Sequence, residues 1–179
     1  MSRRNIGVAI AIPEPFGSQL QQWRERFGDP MAYAIPTHVT LLPPTLVQDS
    51  ELEKIDEHLG QAAAAERPFV MGLRGAGTFR PVSPVVFVQI AVGIGDCERL
   101  EKLVRSGPLE RPLRFPYNPH VTVAHDLPDD VLDEAFWALG GYSADLTVSG
   151  FSLYEHGSDG IWRPQRDYAL GQLIPGRSI

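Results

Sequence analysis

With 179 residues, 43% of them hydrophobic and 21% charged, the chain can bury one domain-sized core and has an ordinary globular composition. A net charge of −6 excludes broad non-specific binding to polynucleotide backbones, which needs a basic surface, but leaves room for a local positive cleft. The single cysteine, Cys97, excludes an internal disulfide and a zinc-type cysteine cluster, so a reducing cytoplasm is the expected compartment.

In chain order, the pattern predicts a buried strand over Asn5–Ile12. The apolar run after Arg3-Arg4 is short and is followed by Pro13-Glu14-Pro15, so it reads as a strand and not as a leader. Leu20, Trp23 and Phe27 then fall at helical spacing, with Ser18 as a candidate cap and Gly28 at the end. A strand carrying His38-Val39-Thr40 follows and is expected to close at Pro43-Pro44. Ser50-Glu51-Leu52-Glu53 reads as a capping box for a helix with Leu52, Ile55, Leu59 and Ala62 on one face. Phe69–Phe79 is a Gly-interrupted strand.

The order then repeats. Val85–Val92 is a second buried strand, Asp96 caps a helix burying Cys97, Leu100 and Val104, and a Pro-rich loop delivers His120-Val121-Thr122. Asp129 or Asp130 caps a helix through Leu139. Leu146–Tyr154 and Trp162–Leu170 alternate as a hairpin. Both halves read strand, helix, His-Val-Thr strand, helix, strand, which is the signature of a diverged duplication with lobes near 1–80 and 81–179. No stretch reaches the ~20 apolar residues of a membrane helix, so no membrane partner is expected.

The repeated tripeptide carries the functional reading. In a strand, residues i and i+2 share a face, so each His lies beside its Thr, while Val39 and Leu41, or Val121 and Val123, point into a core. Two such strands form two walls of a polar cleft. A histidine pair suits a reaction that needs a base and an acid in one turnover, and the adjacent hydroxyls suit phosphate oxygens. Opening a cyclic phosphodiester fits this set and calls for no metal and no cofactor.

Two His-x-Thr motifs 82 residues apart in a duplicated chain of this length resemble the 2H phosphoesterase superfamily, including its LigT-like 2′-5′ RNA ligase branch. The resemblance covers essentially the whole chain. It implies a bilobal α+β fold with an antiparallel sheet and helices in each lobe, an active-site cleft between the lobes, and metal-independent chemistry on 2′,3′-cyclic phosphates or 2′-5′ linkages. It would make His38 and His120 the acid/base pair and Thr40 and Thr122 the phosphate-binding hydroxyls, with a small nucleotide or an RNA terminus as substrate and no stable protein partner. Many members carry Arg shortly after the second motif, whereas Val123-Ala124-His125-Asp126 stands here, so that cationic contact is missing.

Tyr117, Phe79, Arg80 and His125 are further candidate base or cleft contacts, each with a plainer reading as a packing, loop or strand-end residue. Trp162-Arg163 has a weaker claim of the same kind. His58 is expected to be exposed and His156 to sit in a turn. Ligation or end-processing of RNA, and a nucleotide-binding module without turnover, stay open as alternatives to hydrolysis, and the sequence does not say which His is the base.

Overall fold

A computed structural model describes residues 2–171; Met1 and positions 172–179, the last stretch of the expected second lobe, lie outside the described residues. Among the described residues eight strands form one antiparallel sheet: β1 (Arg3–Ala11), β2 (His38–Gln48), β3 (Phe69–Thr78), β4 (Val85–Val92), β5 (His120–His125), β6 (Ser143–Val148), β7 (Gly150–His156) and β8 (Trp162–Ala169). Four helices, α1 (Phe16–Arg26), α2 (Leu52–Ala65), α3 (Ile94–Val104) and α4 (Asp129–Ala138), complete an α+β fold. Among the described residues no helix is long and apolar enough to cross a membrane.

The strand order is β6-β3-β4-β5-β2-β1-β7-β8. The sheet has two four-stranded halves, and the register joins them through a single residue pair, Val39 opposite Val121. Beyond that pair β2 and β5 part, which opens a cleft at the middle of the sheet. The halves do not follow the expected division at 1–80 and 81–179. The strand after α2, β3, pairs with β4, and the strand β7, after α4 and β6, returns to pair with β1. The first half of the sequence thus lends β3 to the other half of the sheet and the second half lends β7 and β8, a reciprocal exchange that welds the lobes together.

The parting of the central strands also explains why β2 does not stop at Pro43-Pro44 but runs on to Gln48. Proline cannot donate to a ladder, so strands tolerate it at edges or bulges. Past Val39 the flank of β2 has no β5 partner, and its pairing with β1 is irregular around Val8, opposite Leu42.

One core fills the fold. Ile6, Val8 and Ile10 of β1, Val39 and Leu41 of β2, Val86 and Val88 of β4, and Val121 and Val123 of β5 are buried against Leu20, Leu59, Leu100 and Leu132 of the helices. The helical faces are the expected ones; the caps are not. Asp129 and Asp130 lie in the first turn of α4 behind Pro128, and Asp96 is inside α3, which begins after Gly93 in the left-handed region. Ser18 donates to Glu14 instead of capping α1. The capping box is Gln48 with Glu51, around a 3-10 turn over Asp49–Glu51. The run Leu146–Tyr154 is two strands on opposite halves of the sheet, β6 beside β3 and β7 beside β1; alternation alone carries no record of which neighbour a strand finds. His58 is part-buried and its Nε2 lies 3.0 Å from the Val104 carbonyl. His156 ends β7 and packs on Trp162, ring centroids 4.6 Å apart.

Candidate active site

The site begins at the one pair that joins the two half-sheets. With Val39 opposite Val121, antiparallel register sets His38 opposite Thr122 and Thr40 opposite His120, all four on the face away from the core. Both motifs are half-buried at the His and Thr and fully buried at the Val. The neighbouring positions on this face are small where β1 runs past: Ala9 lies opposite Thr40 and Ala11 opposite His38.

The two imidazoles are held in the same way. Nδ1 of His38 lies 2.7 Å from the Pro36 carbonyl, and Nδ1 of His120 lies 2.7 Å from the Asn118 carbonyl. A carbonyl only accepts, so Nδ1 carries the proton in each ring and donates it. That leaves Nε2 as the reactive atom, a base when the ring is neutral and an acid when it is charged.

The surroundings differ. His38, Thr40, Thr122 and His125 line a cleft of about 330 Å³ together with Arg24, Tyr154 and Trp162. Burial pushes the His38 imidazolium pKa down to about 4, and the charge of Arg24 acts in the same direction. His120 and Thr40 border a second, more apolar groove of about 570 Å³ with Phe79, Leu113, Phe115 and Tyr117. Two rings pack on His120: Phe79 edge-on at 4.8 Å and Phe87 at 5.3 Å. Burial lowers this imidazole's pKa too, opposed by the bond to Asn118. Thr40 borders both volumes, one on the β1 side and one on the β4 side.

Gly77 makes room for this packing. A Cβ there would lie 2.6 Å from the Phe87 ring, so Gly77→Ala must displace the ring that abuts His120. The atom in the way is the end of a mobile side chain, so the expected outcome is a rate loss of up to roughly 100-fold with a small change in melting temperature. Steady-state kinetics beside a thermal melt checks it.

The other candidates divide. Phe79 and Tyr117 line the groove, and the Tyr117 hydroxyl donates to the Thr40 carbonyl at 2.7 Å, which fastens the 106–119 loop to β2. His125 lines the cleft, with Nε2 3.5 Å from Asp126. Arg80 does not join the site: its guanidinium is spent on Asp133 and on the Asp129 carbonyl, in a separate recess beside α4. Sequence pattern does not single out Arg24, Phe87 or Tyr154 as site residues. For Arg24 a signal existed: it stands four residues after Leu20 on the inward stripe of α1, where a charged residue is anomalous.

A family model for the 2′-5′ RNA ligase superfamily matches residues 12–160. The chain belongs to this superfamily, the 2H phosphoesterases. A Halalkalibacterium halodurans protein bearing a provisional phosphoesterase name is 30% identical over 170 residues, 94% of this chain and 98% of that protein. One from Bacillus licheniformis, named in the same way, is 28% identical over 92% and 98% of the two chains. Among solved structures, Escherichia coli LigT complexed with NADP+ superposes with a TM-score of 0.70 at 23% identity, covering 96% of this chain and all of LigT. A Thermus thermophilus protein superposes at 0.61 with 22% identity, over 93% of this chain and 98% of its own. These likenesses establish the LigT-like fold, an antiparallel eight-stranded curled sheet with four helices.

Proposed function

We propose that the protein is a metal-independent phosphodiesterase that hydrolyses a small cyclic nucleotide phosphate or a 2′-5′ phosphodiester by paired histidine catalysis. The observation that carries this is the matched pair of imidazoles, each with Nδ1 spent on a backbone carbonyl, set diagonally to one another and each opposite a threonine across one strand pair. Nε2 of His38 takes a proton from water as its oxygen attacks phosphorus. The bond from phosphorus to the ribose oxygen breaks, and Nε2 of His120 gives its proton to that oxygen. Thr40 and Thr122 donate to the non-bridging oxygens. The roles follow from the surroundings: burial and the charge of Arg24 together disfavour the His38 cation, whereas at His120 burial acts without a neighbouring cation and is opposed by the bond to Asn118.

The pH dependence has a definite sign. Protonating His38 removes the base, so the rate falls as pH drops through about 4. Deprotonating His120 removes the acid, so the rate falls as pH rises through a value below the ordinary 6.5. The expected kcat/KM profile is a bell with its maximum on the acid side of neutrality. Hydrolysis of 2′,3′-cyclic mononucleotides in EDTA, measured from about pH 4 to pH 9, tests both the activity and the profile. A maximum above pH 7 would overturn the lowering of the two imidazoles, and no turnover of cyclic or 2′-5′ substrates would overturn the hydrolase reading.

A further inference from the structure

Arg24 has no part in the scheme above except through its charge, yet its placement is unusual. It is 5% exposed, on a helix whose other inward residues pack into the core, and burying a guanidinium is costly unless it is paired. The pairing is built by the end of α1. Gly28 adopts a φ of 80°, and the amides of Gly28 and Asp29 donate to the carbonyls of Glu25 and Arg24. This is a Schellman turn, which reverses the chain and sends Asp29 back against the side chain of Arg24. Asp29 is itself buried; its Oδ2 accepts from Arg24 Nε at 2.7 Å and its Oδ1 from the Met31 amide at 2.9 Å.

The arrangement uses one edge of the guanidinium only. Nε is the sole side-chain nitrogen of Arg24 with a hydrogen bond among the described residues. No fully buried side-chain nitrogen there lacks a partner, so the two terminal nitrogens open onto free volume. That volume is the cleft shared with His38, Thr40 and Thr122. Other arginines of the β8 and α4 region are engaged on exposed carboxylates: Arg163 on Asp159, Arg166 on Asp56, Arg80 on Asp133.

We propose that Arg24 is a phosphate-binding residue of the site, its terminal nitrogens donating to non-bridging oxygens of the scissile phosphoryl group on the His38 side. The inference rests on the phosphoesterase reading. A planar fork with two free donors matches a phosphate edge, and Asp29 is the positioning residue that fixes the plane. Charge on the phosphoryl oxygens persists through in-line attack, so the same fork serves both binding and the transition state. It also supplies a cation that the sequence after the second motif, Val123-Ala124-His125-Asp126, does not.

The test is a titration of the wild-type protein with inorganic phosphate, following assigned 15N side-chain resonances of Arg24, beside inhibition by phosphate and the kinetics of Arg24→Gln. The expected result is a saturable shift of the Arg24 guanidinium signals at the phosphate concentration that inhibits, with phosphate affinity and kcat/KM falling about 10- to 100-fold in the variant. If the wild type hydrolyses cyclic nucleotides and binds phosphate while the Arg24 signals stay still, the inference is overturned and the phosphoesterase reading survives. A variant that keeps wild-type phosphate affinity and kcat/KM has the same meaning. If Arg24→Gln fails to fold, the wild-type titration decides alone. A wild type with neither turnover nor phosphate binding removes the reading and the inference together.

Discussion

His38→Ala and His120→Ala are each expected to lower kcat/KM on a 2′,3′-cyclic nucleotide by about 10²- to 10⁴-fold, the usual contribution of a positioned proton-transfer group. The two losses should not add. An acid and a base acting in one displacement work as a unit, so the double variant should fall little below the worse single one, to whatever rate the threonines and the cleft sustain. The folded state should survive both changes. Each ring is half-buried on the cleft side of its strand, and each makes one bond to a carbonyl two residues earlier, worth about 1 kcal/mol. Turnover measured beside a thermal melt separates the cases. A variant that keeps its melting temperature and loses its rate supports the acid/base pair; one that loses stability and keeps its rate per folded molecule makes the motif a packing device.

Asp29→Ala carries the largest expected loss of stability. Asp29 is 1% and Arg24 5% exposed, and the bond between them, 2.7 Å long, is the guanidinium's sole hydrogen bond among the described residues. Removing the carboxylate leaves a buried cation uncompensated, which typically costs about 3–5 kcal/mol, and also frees the Met31 amide. For a chain of this size that lowers the melting temperature by roughly 10 °C. The companion variant, Arg24→Met with Asp29→Ala, removes both charges and should be more stable than Asp29→Ala alone. Denaturant melts of the two give the comparison. A double variant less stable than Asp29→Ala would show that the pair is not what holds the turn.

Both predictions trace to features of very different legibility. His38-Val39-Thr40 and His120-Val121-Thr122 name themselves by repetition, and strand periodicity alone puts each His and Thr on one face with the valine in the core. The helical stripes of Leu20 and Phe27, of Ile55 and Leu59, and of Cys97, Leu100 and Val104 are equally local properties, and all of these residues are buried. Arg24 and Asp29 are different. Their meeting depends on the left-handed turn at Gly28 closing back on α1, a three-dimensional event that five residues of sequence suggest but do not specify.

What the sequence by itself determined was the apolar faces, the two motifs and hence the family, because the faces are written in local spacing of 2 or 3.6 residues and the motifs in a repeated tripeptide. Tertiary structure alone decided which strand lies beside which. The exchange of β3 and β7 between the halves, the division of Leu146–Tyr154 into two strands, and the single Val39–Val121 bridge all depend on long-range pairing. Such pairing is selected by the packing of whole faces, and one strand's alternation fits many neighbours equally well. The same choice sent Arg80 to the acids of α4 and brought Arg24 to the cleft of His38, since a charged side chain finds its partner only after the backbone has settled which surfaces meet.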